Sequence, residues 1–233
     1  MKRFYQDVSV SAAQGGWQVL LDGRAIKTAG GQPQTVRSRA LAEALAAEWA
    51  SQGDTIDPAS FALRDLADYA IDTVSSDPAA AIADLVPYAE TDTLCYRADD
   101  GTALHLRQAQ IWEPGLTAAE IRWDARFERV EGIMHRPQPA ATLARIRALL
   151  EKQDSFALAA LRMLASLSAS LVIALSALEA DADPVGLWNA ANLEEDWQAG
   201  LWGRDAEAEN RRQARFEAFQ LAIRFARLAA LAD

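Results

Sequence analysis

Trp17-Gln18-Val19-Leu20-Leu21-Asp22-Gly23-Arg24-Ala25-Ile26-Lys27-Thr28 is the stretch of this 233-residue chain that decides how its N-terminal part folds. An Asp-Gly pair between β-prone runs is a strong hairpin signal, because both central turn positions need positive φ and these two residues tolerate it. Upstream, Phe4-Tyr5-Gln6-Asp7-Val8-Ser9-Val10 alternates roughly at period two and leads through a Gly15-Gly16 turn into the hairpin. Downstream, Gly30-Gly31 and Pro33 close the β section, with one more short strand expected near Gln34 to Val36. Ser38 then caps a helix over about 39–51, where Leu41, Leu45, Glu48 and Trp49 recur at helical spacing before Gly53. Residues 1–58 are expected to form a small β-rich N-terminal domain, a twisted antiparallel sheet with one packed helix.

Beyond Asp57-Pro58 the pattern is helical. Helices are expected over about 61–75, 78–89, 103–112, 116–127, 139–151, 154–180, 184–201 and 205–231. The breaks fall at Asp77-Pro78, Asp99-Asp100-Gly101, Pro137 and Pro139, Asp183-Pro184 and Gly203, and Thr93 to Arg97 is the one extended segment. Residues 59–233 therefore read as a larger all-α domain, and the fold class as α+β. Phe156 to Leu178 is long enough for a membrane span, but Arg162 and four serines interrupt it, which favours a buried core helix.

The formal net charge is -10 and the sequence pI about 4.8. Such a field opposes binding to phosphate backbones and to anionic membranes, so neither nucleic acid nor a stable membrane contact is expected. Cys95 is the single cysteine and His105 and His135 the only histidines, so no disulfide within the chain and no thiol–metal site is expected. No phosphate loop or nucleophile elbow is present, and two histidines leave few ways to build a triad. The residues point to no catalysis and no cofactor. No apolar signal core precedes the Met1-Lys2-Arg3-Phe4-Tyr5 start, from which a cytoplasmic location is expected.

The segment Leu193-Glu194-Glu195-Asp196-Trp197-Gln198 stands out. Consecutive helical residues point about 100° apart, so three acids in a row cannot share one solvated face. One reading is charged surface; another is an acidic contact patch flanked by Trp188, Trp197 and Trp202, the aromatic-with-charged-rim composition of protein-binding surfaces. The enzymatic alternative is a hydrolase-type site using Glu194, Glu195 and Asp196, for which a second group and a pocket would be needed.

An ordered set of motifs resembles the ATP synthase assembly chaperones that hold the free α subunit of the catalytic head. It comprises Lys2-Arg3-Phe4-Tyr5 with Val8, Leu20-Leu21-Asp22-Gly23-Arg24 with Lys27-Thr28, and Ala42 to Trp49 with Gln52 to Pro58. It continues with Thr91-Asp92-Thr93-Leu94-Cys95-Tyr96-Arg97 and with Leu193 to Gln198 followed by Trp202-Gly203. The region 114–132 matches more loosely, with Trp112-Glu113-Pro114 where the family tends to have Trp-Asp-Pro. The resemblance implies a chaperone that binds the unassembled α subunit until the β subunit replaces it; a binding face that must stay open makes a monomer the expected free state. It implies that Glu194 matches the family's functionally sensitive glutamate; together with the acidic and aromatic patch, partner contact is expected from Glu194, Glu195, Asp196, Trp197 and Trp202. Trp49, Asp22 and Gly23 are expected to be structural. A Glu194→Lys change is expected to weaken client binding while leaving the fold intact.

Overall fold

Strands β1 (Val8–Ala13), β2 (Gly16–Leu21) and β3 (Arg24–Ala25) open the chain, in a computed structural model that describes residues 1–132, 134–203 and 205–231. They form one antiparallel sheet in the order β1-β2-β3, with Val10 opposite Val19 and Leu20 opposite Ala25. Asp22 and Gly23 take φ values of 48° and 78°, the paired positive angles that the two-residue hairpin needs. Asp22 also ties down the segment before β1: its Oδ1 accepts from the amides of Gln6 at 3.0 Å and Asp7 at 2.8 Å. Those donors, Asp7 first, hold its carboxyl below the usual carboxylate range. At the other end of β2, Trp17 and Val36 exchange backbone hydrogen bonds of 2.7 and 2.9 Å. The strand expected near Val36 is this isolated bridge. The strand expected from Phe4 begins only at Val8, because Tyr5 turns inward and its hydroxyl donates to the Trp49 carbonyl at 2.6 Å.

Helix α1 (Arg39–Ala50) follows, with the Ser38 hydroxyl accepting from the Leu41 amide as the sequence leads one to expect. The later helices are α2 (Ala62–Tyr69), continued by one π-type turn over Ala70–Val74, α3 (Pro78–Leu85) and α4 (Pro87–Glu90). Strand β4 (Tyr96–Arg97), α5 (Ala103–Trp123) and β5 (Val130–Glu131) come next, β4 and β5 pairing in parallel. The chain continues with α6 (Ala140–Leu150), α7 (Ser155–Ser168), α8 (Leu171–Ala177), α9 (Pro184–Ala191), α10 (Leu193–Trp202) and α11 (Ala206–Ala230).

Four helix boundaries differ from the sequence expectation; the helix anticipated over 78–89 is divided before Pro87 into α3 and α4. The two helices anticipated on either side of Pro114 are one, α5, with Pro114 inside it. Pro114 and Gln110 both lie on the exposed side, where water can satisfy the carbonyl that the missing proline N–H leaves free. The long helix anticipated over 154–180 is divided at Ala169, which takes φ 50°, and Ser170 caps the second piece. The helix anticipated over 184–201 is divided at Asn192, whose buried amide donates to the Trp188 carbonyl at 2.8 Å. No helix among the described residues is long and apolar enough to cross a membrane.

The chain groups into two compact units: Met1–Pro78 with Asp154–Ala160 and Leu221–Asp233, and Ala79–Gln153 with Leu161–Gln220. In the first, Leu41, Leu45 and Trp49 are buried on α1. The Trp49 ring lies 5.6 Å from Tyr5 and 4.5 Å from Phe61, and Phe156 stacks on Phe225 at 5.9 Å. Glu48 caps the next helix by accepting from the amides of Leu63 and Arg64 at 2.7 and 2.9 Å. Buried Asp68 binds the loop after β3 through the Ala29 amide and the Gln34 side chain.

In the second unit, α5 buries Gln108, Trp112, Leu116, Ala119 and Trp123, a stripe at helical spacing. Asp92 is fully buried and accepts from the Leu94 amide at 3.0 Å, the Val172 amide at 2.9 Å and the Ser170 hydroxyl at 2.7 Å. Burial outweighs those donors and pushes its carboxyl up to about 6. Beside it Cys95 is buried, and burial followed by the nearby Asp92 carboxylate raises its thiol far above the ordinary value, the setting of an inert thiol.

Candidate functional site

The joint between α9 and α10 positions the acidic segment. Asn192 and Leu193 are buried at the start of α10, and Glu194, Glu195 and Asp196 occupy its first turn. Carboxylates at that end face the positive pole of the helix dipole and the unpaired amides, which gives them a local structural reason to be there. They then diverge, as the 100° steps require. Glu194 is exposed, yet its Oε1 accepts from the Gln108 side chain at 2.6 Å. Gln108 is wholly buried, and its own Oε1 accepts from the Ala98 amide at 2.7 Å. Glu195 is exposed and lies 3.7 Å from Arg215, while half-buried Asp196 pairs with Arg212 at 2.7 Å.

The tryptophans divide differently from the sequence expectation. Trp188 is only 2% exposed and packs on Phe216 and Phe219 at 5.7 and 5.5 Å, with the Arg215 guanidinium over its ring. It belongs to the core and not to the surface. Trp197 is half-buried and lines a cleft of 430 Å³ with Arg107, Ile111 and Arg212. Trp202 is 83% exposed at the end of α10, next to exposed Leu201, where Gly203 with φ 93° stops the helix. A hollow of 280 Å³ beside it is lined by Glu195, Asp196, Asp205 and Arg212 among others.

This surface combines an exposed aromatic, an exposed leucine and two exposed carboxylates on one short helix. Each of the three acids has its own partner on another element, so they do not converge on a common point. A larger cleft of 650 Å³ lies elsewhere in the same unit, lined by Leu94, Trp112, Val172, Ile173 and Leu187 and edged by the Arg122–Glu179 pair at 3.0 Å. Among the described residues no group of three or more His, Cys, Asp or Glu is placed to hold a metal ion.

The loosely matching stretch after Trp112 carries an ion network that no motif in the sequence announces. Glu113 bridges Arg97 at 3.0 Å and Arg129 at 2.5 Å, and Arg129 also pairs with Glu120. Arg129, first, and then Arg97 hold the Glu113 carboxyl below its ordinary value. The Arg97 guanidinium lies over the Trp112 ring, whose indole N–H donates to the Ala190 carbonyl at 2.8 Å.

Residues 2–120 match the family model described as ATP12 chaperone protein. The chain belongs to the ATP12 chaperone family. The whole fold agrees: Atp12 from Paracoccus denitrificans is 36% identical, with a TM-score of 0.92 over 98% of this chain and 98% of that one. An aspartate-to-lysine variant of the same Paracoccus protein matches equally well, at 36% identity over 98% of this chain and 97% of its own. A candidate chaperone from Agrobacterium tumefaciens is 38% identical, with a TM-score of 0.92 over 97% of this chain and 85% of that chain. The α+β architecture expected from the sequence is thus that of Atp12 structures. The family match reaches past α1 into α5 and so includes Gln108 but ends before α10.

Proposed function

We propose that this protein is an assembly chaperone of the ATP synthase catalytic head that binds the unassembled α subunit and yields it to the β subunit. The observation that carries this reading is membership of the ATP12 chaperone family over residues 2–120, together with whole-chain likeness to Atp12 from Paracoccus denitrificans. Unassembled subunits expose apolar surfaces meant for their neighbours, and such surfaces self-associate wrongly unless covered. In this reading α10 supplies the client contact. Trp202 and Leu201 cover apolar surface, and Glu194 and Glu195 face basic or amide groups that set register. Asp196 and Trp197, less exposed, brace the helix from Arg212 and the cleft beside it. Trp49 and the Asp22-Gly23 turn act as structural elements, the protein works without a catalytic step, in the cytoplasm, and the free chaperone is a monomer.

The test is affinity purification of the tagged chain from its native cells, with bound proteins identified by mass spectrometry. The expected result is the ATP synthase α subunit in molar excess over β, with recovery strongly reduced by Trp202→Ala. Co-purification of α and β in equal amounts, or of neither, refutes the reading.

A further inference from the structure

In the first unit, a cavity of 510 Å³ lies against the β2–β3 hairpin, and its lining joins apolar walls to a cationic rim. Tyr5, Leu21, Ile26 and Trp49 form buried walls, and Phe4, 61% exposed, stands at the edge with its ring 5.3 Å from that of Tyr5. Three cations line it, Arg24, Lys27 and Arg64; Arg64 is paired with Asp68 at 3.5 Å, which leaves Arg24 and Lys27 facing the one lining carboxylate, that of Asp22. The Asp22 carboxylate is already engaged by the amides of Gln6 and Asp7. Arg24 and Lys27 are exposed and make no ion pair or side-chain hydrogen bond among the described residues. Arg64 lies over the rings of Trp49 at 5.5 Å and Phe61 at 5.1 Å, which fixes its plane at the wall. The buried Trp49 indole N–H lacks a hydrogen-bond acceptor among the described residues, whereas the Arg64 Nε lies 3.5 Å from the Asp68 carboxylate. Unmet donors of this kind are uncommon in folded proteins and favour a group that brings an acceptor.

A local surplus of positive charge over apolar walls is not what solubility requires of a chain with net charge -10. We propose that this cavity binds a peptide segment of a partner protein in which a bulky apolar side chain stands next to a carboxylate. The apolar side chain displaces water from Leu21, Ile26 and Trp49. The carboxylate meets Arg24 and Lys27 at the rim, where neither is held in an ion pair among the described residues and so loses little on pairing. β3 pairs with β2, and Ile26 and Lys27 just beyond it are bridged by Gln34 and Pro33, so the segment is held by its side chains and not by adding a strand to the sheet. A polyanion such as nucleic acid would meet the acidic field of the whole molecule, whereas a segment with one or two charges responds to the local cations. This site is distinct from α10, and the proposal does not depend on which client α10 holds.

The test uses the full chain, isotope-labelled, with the Trp49 indole signal assigned by its loss in Trp49→Phe. The probes are a capped Gly-Asp-Phe-Glu-Gly peptide, its Gly-Asn-Phe-Gln-Gly counterpart, and inorganic phosphate. The expected result is a saturable shift of the Trp49 indole with the acidic peptide, no shift at Trp202, and affinity falling as salt rises. The neutral peptide binds at least tenfold more weakly, and so does the acidic peptide to the Arg24→Ser, Lys27→Ser double variant, whose exposed positions leave the melting temperature unchanged. Equal binding of both peptides, an unmoved Trp49 signal or unchanged affinity in the double variant overturns the proposal. The same shift with phosphate alone overturns the peptide class in favour of a simple anion site.

Discussion

Glu194 holds the buried end of Gln108 as well as facing solvent, and replacing it tests both roles. The Gln108 amide is engaged at both ends, its oxygen by the Ala98 N–H and its nitrogen by Glu194 at 2.6 Å. Glu194→Gln keeps an oxygen in place and loses only charge assistance and the favourable helix-start charge, about 0.5–1 kcal/mol. Glu194→Ala orphans the Gln108 donor, which costs about 1–3 kcal/mol when fully buried; since Glu194 is exposed and water can enter, about 1.5 kcal/mol is expected. Glu194→Lys sets donor against donor and reverses a charge at the helix start, so about 3 kcal/mol is expected. On this reasoning the lysine change costs stability as well as contact, so the clean probe of client binding is the neutral amide. Urea unfolding of the three variants should rank them Gln, Ala, Lys in increasing loss, with client capture reduced in all three. Full stability in the lysine variant would refute the structural role given to the Gln108 contact.

Asp92, pushed up to about 6 against an ordinary 3.8, binds its proton more tightly folded than unfolded. Stability relative to Asp92→Asn should thus be greatest below pH about 4 and decline by ~3 kcal/mol as pH rises through 6; a difference between the two proteins that does not vary with pH refutes this. Gly16→Ala would set a Cβ 2.2 Å from the Val36 carbonyl and should destabilise by about 2 kcal/mol or more in thermal unfolding, with Gly53→Ala, where nothing lies within 4 Å, as the tolerated control. Pro114→Ala restores a helical N–H in the middle of α5 and should raise stability by about 1–2 kcal/mol. A loss there would mean that α5 relies on the proline.

Where the fold could be read from the sequence, local chemistry and tertiary packing asked for the same thing. The Asp22-Gly23 hairpin, the Ser38 cap and the apolar stripe of α1 are of this kind. Pro114 misleads because a proline is tolerated wherever the freed carbonyl faces water, and exposure cannot be read from the residue itself. Ala169 misleads in the opposite way: an alanine gives no turn signal, and its φ of 50° is imposed by contacts with distant residues, including the Thr93 amide and hydroxyl on its carbonyl. At the candidate site the acidic run was visible, but its partners Gln108, Arg212 and Arg215 come from other helices and leave no mark near Glu194. Trp188 looked like its neighbours Trp197 and Trp202, and only packing against Phe216 and Phe219 tells it apart.

The first unit is discontinuous in sequence, drawing on Met1–Pro78, Asp154–Ala160 and Leu221–Asp233. During synthesis its sheet and α1 are made early, while Phe225, the stacking partner of Phe156, is made some 140 residues after Pro78. At about 5–20 residues per second that interval is roughly seven to thirty seconds. Through that time α1 is available to cover the sheet, but the part of the core that Phe156 and Phe225 complete is missing. A protein whose family shelters other chains would then need shelter itself while it is born.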